Sequence, residues 1–496
     1  MNNREFNIRI EADHTLLLDI ERFRLETGKI TFLLGESGIG KTLISKALYG
    51  LLDSEPWEVQ INGQPYYRYL KEGPVGRWQR DGFFVFQEPS SHLNPLLTIE
   101  QQLNEGDLAG NSYEPNILRR LWQNVAYKEI EDILKVFPKP FRPSGGEKQR
   151  VLLSMAFKKM QHFRPQKETL YIFDEPTGNL DDVYRNQVVA FLLEEYRKNP
   201  FTILFITHDY SLINELYRNH GDVLPQMRFK ELQRVAENQL ELKKFDTDGY
   251  LKWLEKAHPL QSGSLTGRKS LLTVEPQFKV FDRSFRIFAD ASHTRPAPLK
   301  VLSGKITYLK APSGVGKTTL AKIIMGLIPA QQVHFELGAL SFTEQTGRMR
   351  WQKQVWGKRA GMVFQHAEEA LDLRSTVRQI FKGLPVQQKM TRNRVLKELS
   401  FIFEAPLQNT LLQRQVFHLS GGQKQRLNLL RTFILNVDLI ILDEPLNGLD
   451  FNSIQRVLKM IQRKLNDGKG FLLISHNEEI FDRFIPEELQ YYLWFQ

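Results

Sequence analysis

The sequence contains no cysteine. Disulfides, cysteine-ligated zinc, iron–sulfur clusters and thiol nucleophiles are therefore excluded. The absence is in keeping with a cytosolic protein. No stretch approaches 18 consecutive apolar residues, so no transmembrane helix is expected. If the protein acts at a membrane, other chains must supply the span. The N-terminal segment MNNREFNIRIEADHTLLLDIERF is charged every few residues and lacks the apolar core of a signal peptide. No block of five or six like charges occurs either. The net charge of +10 thus has two readings. One is affinity for nucleic acid or anionic lipid; the other is a mild excess of lysine and arginine spread over a large surface. What is present is ordinary for a globular protein: 41% hydrophobic and 25% charged residues. At 496 residues the chain is too long for one ordinary domain.

The chain repeats itself. GESGIGKT (35–42) returns as APSGVGKT (311–318), placing Lys41 and Lys317 276 residues apart. PSGGEKQR and LSGGQKQR place Ser144 and Ser420 276 apart. FVFQ and MVFQ end at Gln87 and Gln365, YIFDEP and IILDEP carry Glu175 and Glu444, and FITHD and LISHN carry His208 and His476. Five motifs in one order at nearly constant offset mark a duplicated domain. The offset drifts because Ser144 lies 30 residues before Asp174, whereas Ser420 lies 23 before Asp443. The seven extra residues are expected in the polar stretch QHFRPQK (161–167), read as a loop. The first copy is expected over 1–225 and the second over 271–496. The segment 226–270 is expected to be a linker, helix-prone and charged at first, then Gly/Ser-rich.

The motifs carry phosphate chemistry. ITFLL (30–34) reads as a buried strand, followed by a Gly-rich turn and a segment of helical periodicity. Strand, GxxxxGK[ST] and helix make a P-loop. Gly35, Gly38 and Gly40 let backbone N–H groups approach phosphate oxygens, and the helix N-terminus adds positive potential. Lys41 is expected to bridge β- and γ-phosphates and the Thr42 hydroxyl to ligate Mg²⁺. The second copy offers Ser313, Gly314, Gly316, Lys317 and Thr318, but begins with Ala311 where the pattern asks for glycine. LYIFDEP (170–176) and LIILDEP (439–445) are apolar strands ending in two acids. The first, Asp174 or Asp443, suits Mg²⁺ through water. The second, Glu175 or Glu444, suits polarisation of an attacking water.

The SGG[EQ]KQR element between P-loop and acidic strand resembles the signature of ATP-binding cassette (ABC) ATPases. The resemblance covers nearly the whole chain outside the linker. It implies an α/β fold with two P-loop cassettes, each a RecA-like core with a helical signature subdomain. It also implies a head-to-tail pairing of the cassettes around two ATP molecules. One site would join Lys41, Thr42, Gln87, Asp174, Glu175 and His208 to Ser420, Gly421 and Gly422. The other would join Lys317, Thr318, Gln365, Asp443, Glu444 and His476 to Ser144, Gly145 and Gly146. By the same resemblance, Gln87 and Gln365 sense Mg²⁺ and water and link to a membrane partner. His208 and His476 contact the γ-phosphate, and Asp181 and Asp450 lie near the seam. Both copies keep the full set, so two competent sites are expected. For adenine stacking the resemblance points to Phe288 in copy two and, failing an aromatic, to His14 in copy one.

ATP hydrolysis does not name the work done. FQEPSSHLNPLLTI (86–99) resembles the segment after the glutamine in ATPases of the dipeptide, oligopeptide and nickel importer subfamily; FQHAEEALDLRSTVRQI (364–380) does so more loosely. That resemblance implies two integral-membrane permease subunits, an extracytoplasmic substrate-binding protein, a peripheral place on the cytoplasmic face of the membrane, and no direct nucleic-acid contact. The alternative is a soluble ABC-F type translation factor, which the basic charge would suit. Its usual long helical linker and this chain's short, Gly/Ser-ended one rank it second. Tandem sugar-importer ATPases are a third option, set back by their usual degenerate site.

Overall fold

The computed structural model describes residues 3–53, 55–105, 108, 114–122, 125–137, 144–178, 182–235, 239–257, 259–260, 268–280, 282–312, 315–386, 388–403 and 410–495. The chain divides into two compact units, Met1–Leu251 and Lys252–Gln496.

In the first unit the strands that carry the motifs lie side by side and parallel. The P-loop strand Ile30–Leu34 pairs with Thr202–Ile206, which pairs with Leu170–Asp174, which pairs with Phe83–Val85. Every residue of Ile30–Leu34, Leu170–Asp174 and Thr202–Ile206 is buried. This is why these segments read as continuous apolar runs without alternation: helices cover both faces of a parallel sheet. Burying each such Leu, Ile or Phe stabilises the sheet by roughly 1.5–3 kcal/mol. The other edge is antiparallel, built by the hairpin Asn3–Ala12 and Thr15–Glu26 and by Trp57–Ile61. Motifs at the carboxyl ends of neighbouring parallel strands converge on one rim, where open α/β sheets bind ligands.

The second unit repeats this order. Ile306–Lys310 pairs with Gly470–Ile474, then Leu439–Asp443, then Ala360–Val363, all parallel. On the far side of each P-loop strand lies one more parallel neighbour, Met227–Arg234 in the first unit and Gln490–Phe495 in the second. A separate four-stranded antiparallel sheet completes the second unit.

Two expectations change. The segment 226–270 is not a connector over its first half. Met227–Arg234 and Gln239–Lys244 are strands of the first unit's sheet, and helix Thr247–Glu255 follows, with the division between units inside it. The seven extra residues of copy one do not form a loop. The signature helix runs Gly145–Phe163, 19 residues, against 13 for Gly421–Phe433, so most of the insertion extends this helix. Burial of Met160 stabilises the extra turns. No helix among the described residues is long and apolar enough to cross a membrane.

Candidate active sites

Each P-loop ends in a left-handed glycine that caps its helix: Gly40 (φ 113°) before Lys41–Tyr49, and Gly316 (φ 110°) before Lys317–Ile324. Gly38 is left-handed as well, with φ 77°. Lys41 is buried, and its Nζ donates to the carbonyls of Gly35 (2.7 Å) and Glu36 (2.9 Å). Its ammonium is thus folded onto the loop's own oxygens. Burial lowers its pKa, and Glu175 and Asp174 oppose that. Lys317 makes the same turn onto the carbonyls of Ala311 and Pro312. Gly35 has φ 138°, and a Cβ there would meet the Leu232 carbonyl oxygen at 2.9 Å. Ala311 is absent from the residues with positive φ, which explains how alanine fits the second loop. Ser313 and Gly314 lie outside the described residues.

The acidic strands deliver their carboxylates beside these loops. Asp174 is buried beside the Thr42 hydroxyl, and its carboxylate oxygens are otherwise without hydrogen-bond partners. Burial, with Glu175 adding to it, pushes its pKa up to about 6. Asp443 accepts a hydrogen bond from Thr318 Oγ1 at 3.0 Å on Oδ1, and its buried Oδ2 has no partner. Burial pushes Asp443 up to about 6 as well. Orphaned buried carboxylate oxygens next to a threonine hydroxyl are hard donors that suit a hydrated divalent cation. Among the described residues no cluster of three or more acids and histidines could hold a metal unaided. Gln87 donates from Nε2 to Glu175 Oε2 at 3.0 Å. Gln365 stands half-buried just beyond Ala360–Val363.

The two general-base candidates share one backbone and differ in company. Glu175 (φ 45°) and Glu444 (φ 48°) are both left-handed, and each N–H is tied to the neighbouring strand, at Ile206 O (3.0 Å) and Ile474 O (2.9 Å). Glu175 Oε1 lies 3.1 Å from His208 Nδ1. Burial alone would raise the Glu175 pKa, yet His208 and Lys41 bring it down to about 2. Burial likewise opposes the charged His208, and Glu175 more than offsets it, so the His208 pKa is raised. Glu444 instead accepts from Ser475 Oγ and from the His476 N–H on Oε2, both at 3.1 Å. The His476 ring stays 3.6 Å from Oε1. Burial pushes Glu444 up to about 7 and His476 down to about 4, so the histidine is uncharged near neutrality and the glutamate holds its proton far above the usual carboxylate range.

The signature serines cap their helices. Ser144 Oγ accepts from the Glu147 N–H, while the Glu147 carboxylate accepts from the Ser144 N–H at 2.6 Å. Ser420 and Gln423 form the same reciprocal box. Gly145, Gly146, Gly421 and Gly422 follow as the first residues of these helices, where N–H groups have no intrahelical acceptor. A Cβ on Gly145 would meet nothing within 4 Å, so space for an approaching anion is open. Asp450 caps its helix, accepting from the Ser453 N–H at 2.7 Å; Asp181 lies outside the described residues.

The adenine candidates fare differently from the phosphate-binding set. His14 is almost fully exposed, 3.4 Å from Glu58. Phe288 is buried against His293. The side chains that pack against the last P-loop glycines are Leu18 at Gly40 and Phe285 at Gly316. Sequence spacing missed both: no motif marks either strand, and in the first unit the hairpin register also shifts between Phe6 and Ile8 and between Ile10 and Glu11.

Fold and residues together define a tandem P-loop nucleotide hydrolase. The family profile described as "ABC transporter" matches residues 18–178 and 295–447. The ABC transporter ATP-binding protein YejF of Escherichia coli (strain K12) is 29% identical over 93% of this chain and 88% of its own length. A peptidoglycan transport ATP-binding protein YejF of Agrobacterium fabrum is 26% identical, over 93% and 85%. The glutathione import ATP-binding protein GsiA of E. coli (strain K12) is 25% identical, over 93% and 79%. Among solved structures, an RNase-L inhibitor superposes with a TM-score of 0.61 at 16% identity, covering 98% of this chain and 89% of that one. At that identity the likeness is one of fold alone. The chain belongs to the ABC transporter family of ATP-binding proteins, carries two cassettes, and is an ATPase.

Proposed function

We propose that this protein is the ATP-hydrolysing subunit of an importer for peptides or similar small solutes, nickel chelates included. The observation that carries the reading is the reach of the importer-type relatives, which extend over 93% of the chain and so through both cassettes. Two of them are named for peptidoglycan and glutathione transport, and glutathione is itself a tripeptide. The cassettes pair head to tail. ATP with Mg²⁺ at Lys41, Thr42, Gln87, Asp174, Glu175 and His208 is completed by Ser420, Gly421 and Gly422. ATP with Mg²⁺ at Lys317, Thr318, Gln365, Asp443, Glu444 and His476 is completed by Ser144, Gly145 and Gly146. Bound at Thr42–Asp174 and Thr318–Asp443, Mg²⁺ supplies charge neutralisation for the phosphates. Glu175 and Glu444 hold the attacking water's proton, and the signature N–H groups orient the γ-phosphate. Two membrane permease subunits convert closure of the pair into transport, fed by an extracytoplasmic binding protein, with this chain peripheral on the cytoplasmic face. To the ribosome-linked alternative, which the basic charge suits, the solved structures add a likeness of fold alone, since they are 16–17% identical.

The Glu175→Gln, Glu444→Gln double variant tests the reading. It is expected to retain ATP, lose turnover, and abolish uptake of radiolabelled small peptides in cells lacking the native gene. Unchanged hydrolysis would refute the general-base assignment. Lost hydrolysis with intact uptake across a panel of peptides, glutathione and nickel would refute the transport reading.

A further inference from the structure

Arg185 is 5% exposed, in the helix Asp182–Lys198 that follows the first acidic strand. A buried cation must be met by partners or it destabilises the fold. Arg185 Nη1 donates to Asp209 Oδ2 at 2.6 Å, to Asp182 Oδ1 at 2.9 Å and to the Ser211 hydroxyl. Nε donates to Asn186 at 3.0 Å. Asp209 is the residue immediately after His208. Its carboxylate also accepts from the Ser211 N–H and hydroxyl, and its own N–H donates to Thr207 Oγ1 at 3.0 Å. On the other side of His208, the Thr207 N–H is tied to Leu33 O at 3.1 Å, beside the P-loop. The backbone is thus fixed on both flanks of the histidine, by the P-loop strand before it and by Arg185 after it.

The second cassette serves as an internal comparison. At the offset of its acidic strand, Phe451 stands for Asp182 and Ile454 for Arg185. At the offset of its histidine, Asn477 stands for Asp209. The Asn477 N–H still donates to Ser475 Oγ at 3.1 Å, so the local turn survives without the ionic clamp. There the histidine ring lies 3.6 Å from its glutamate, and the glutamate turns to a backbone N–H and a hydroxyl. With the clamp, the histidine presents its other ring nitrogen, Nδ1 instead of Nε2, at 3.1 Å from the glutamate, and Gln87 takes the other carboxylate oxygen.

We propose that Arg185, acting through Asp209, is a positioning residue that holds His208 against Glu175 in the first cassette, and that the second cassette works without this device. The inference rests on the ATPase activity and not on the transported cargo. A positioning role predicts loss of turnover without loss of nucleotide affinity, and dependence on the histidine being present.

The test is a double-mutant cycle on the purified full chain, following steady-state ATP hydrolysis. Arg185→Ile, which copies the second cassette, is expected to lower kcat about fivefold or more while shifting KM less than about twofold. Made in a His208→Ala background, the same substitution is expected to change kcat less than about twofold. Arg185→Lys, which keeps the charge, recovers most of the rate. If Arg185→Ile does not fold, Asp209→Asn runs the same cycle. Equal losses with and without His208, or a folded Arg185→Ile or Asp209→Asn with unchanged kcat, would overturn the proposal. Absence of hydrolysis in the unsubstituted protein as well as in every variant would instead strike the ATPase assignment on which it rests.

Discussion

Asp174 and Asp443 carry the clearest pH-dependent consequence of single side chains. Burial raises both pKa values from 3.8 to about 6. The sign follows from linkage. Below the unfolded value both states hold the proton. Between that value and about 6 only the folded state does, so this contribution to stability is complete at low pH and is lost as pH rises through about 6. A bound cation restores what the lost proton gave, and releases the proton where one is still held. The rise in melting temperature that Mg²⁺ adds to a non-hydrolysable ATP analogue is therefore expected to be larger at about pH 7 than at about pH 5. An equal rise at both would contradict the placement of the ion on these carboxylates. The identities of these residues were legible in the sequence, since a buried strand ending in two acids after a P-loop has few other uses. Their company was not. On our proposal, whether a glutamate meets a histidine ring or a backbone N–H turns on Arg185 against Ile454, which belong to no motif, together with Asp209 against Asn477, the last residues of FITHD and LISHN, whose difference gains meaning only beside Arg185.

At the level of the element, the P-loops make a paired prediction. Gly35 occupies a left-handed backbone with a carbonyl where its Cβ would go, while Ala311 does not. Gly35→Ala is expected to cost about 1–3 kcal/mol of stability in the first cassette, with ATP binding there lost or weakened. Ala311→Gly is expected to cost about 1 kcal/mol or less. Chemical denaturation of both variants, with nucleotide binding alongside, checks this; equal effects would mean the loops share one conformation. Sequence reading located the strands of both loops because they are short, apolar and flanked by turn residues. It failed on Met227–Arg234. There Met227, Phe229 and Leu232 are buried, but interleaved Arg228, Lys230 and Glu231 gave the stretch a helical, charged appearance. Glu231 is itself buried, accepting from the Tyr210 hydroxyl at 3.0 Å, a pairing that no local pattern announces. The longer signature helix was missed for a related reason: Arg164 and Pro165 look like a loop, yet they begin only after Phe163 has ended the helix.

For the whole molecule, duplication was the most legible feature of all, because five motifs at matched offsets need no knowledge of tertiary contacts. The fused pair keeps both lysines, both acid pairs and both histidines, yet the two sites differ in ionisation and in the clamp around the histidine. The work done lies in chains beyond this one, and the central claim is that those chains are membrane permeases. The most direct test is to purify the affinity-tagged protein from mildly solubilised cells of its own source and identify what accompanies it by mass spectrometry. The account predicts enrichment of integral-membrane permease subunits, with ribosomal proteins at background. Enriched ribosomal proteins and no membrane protein would contradict it.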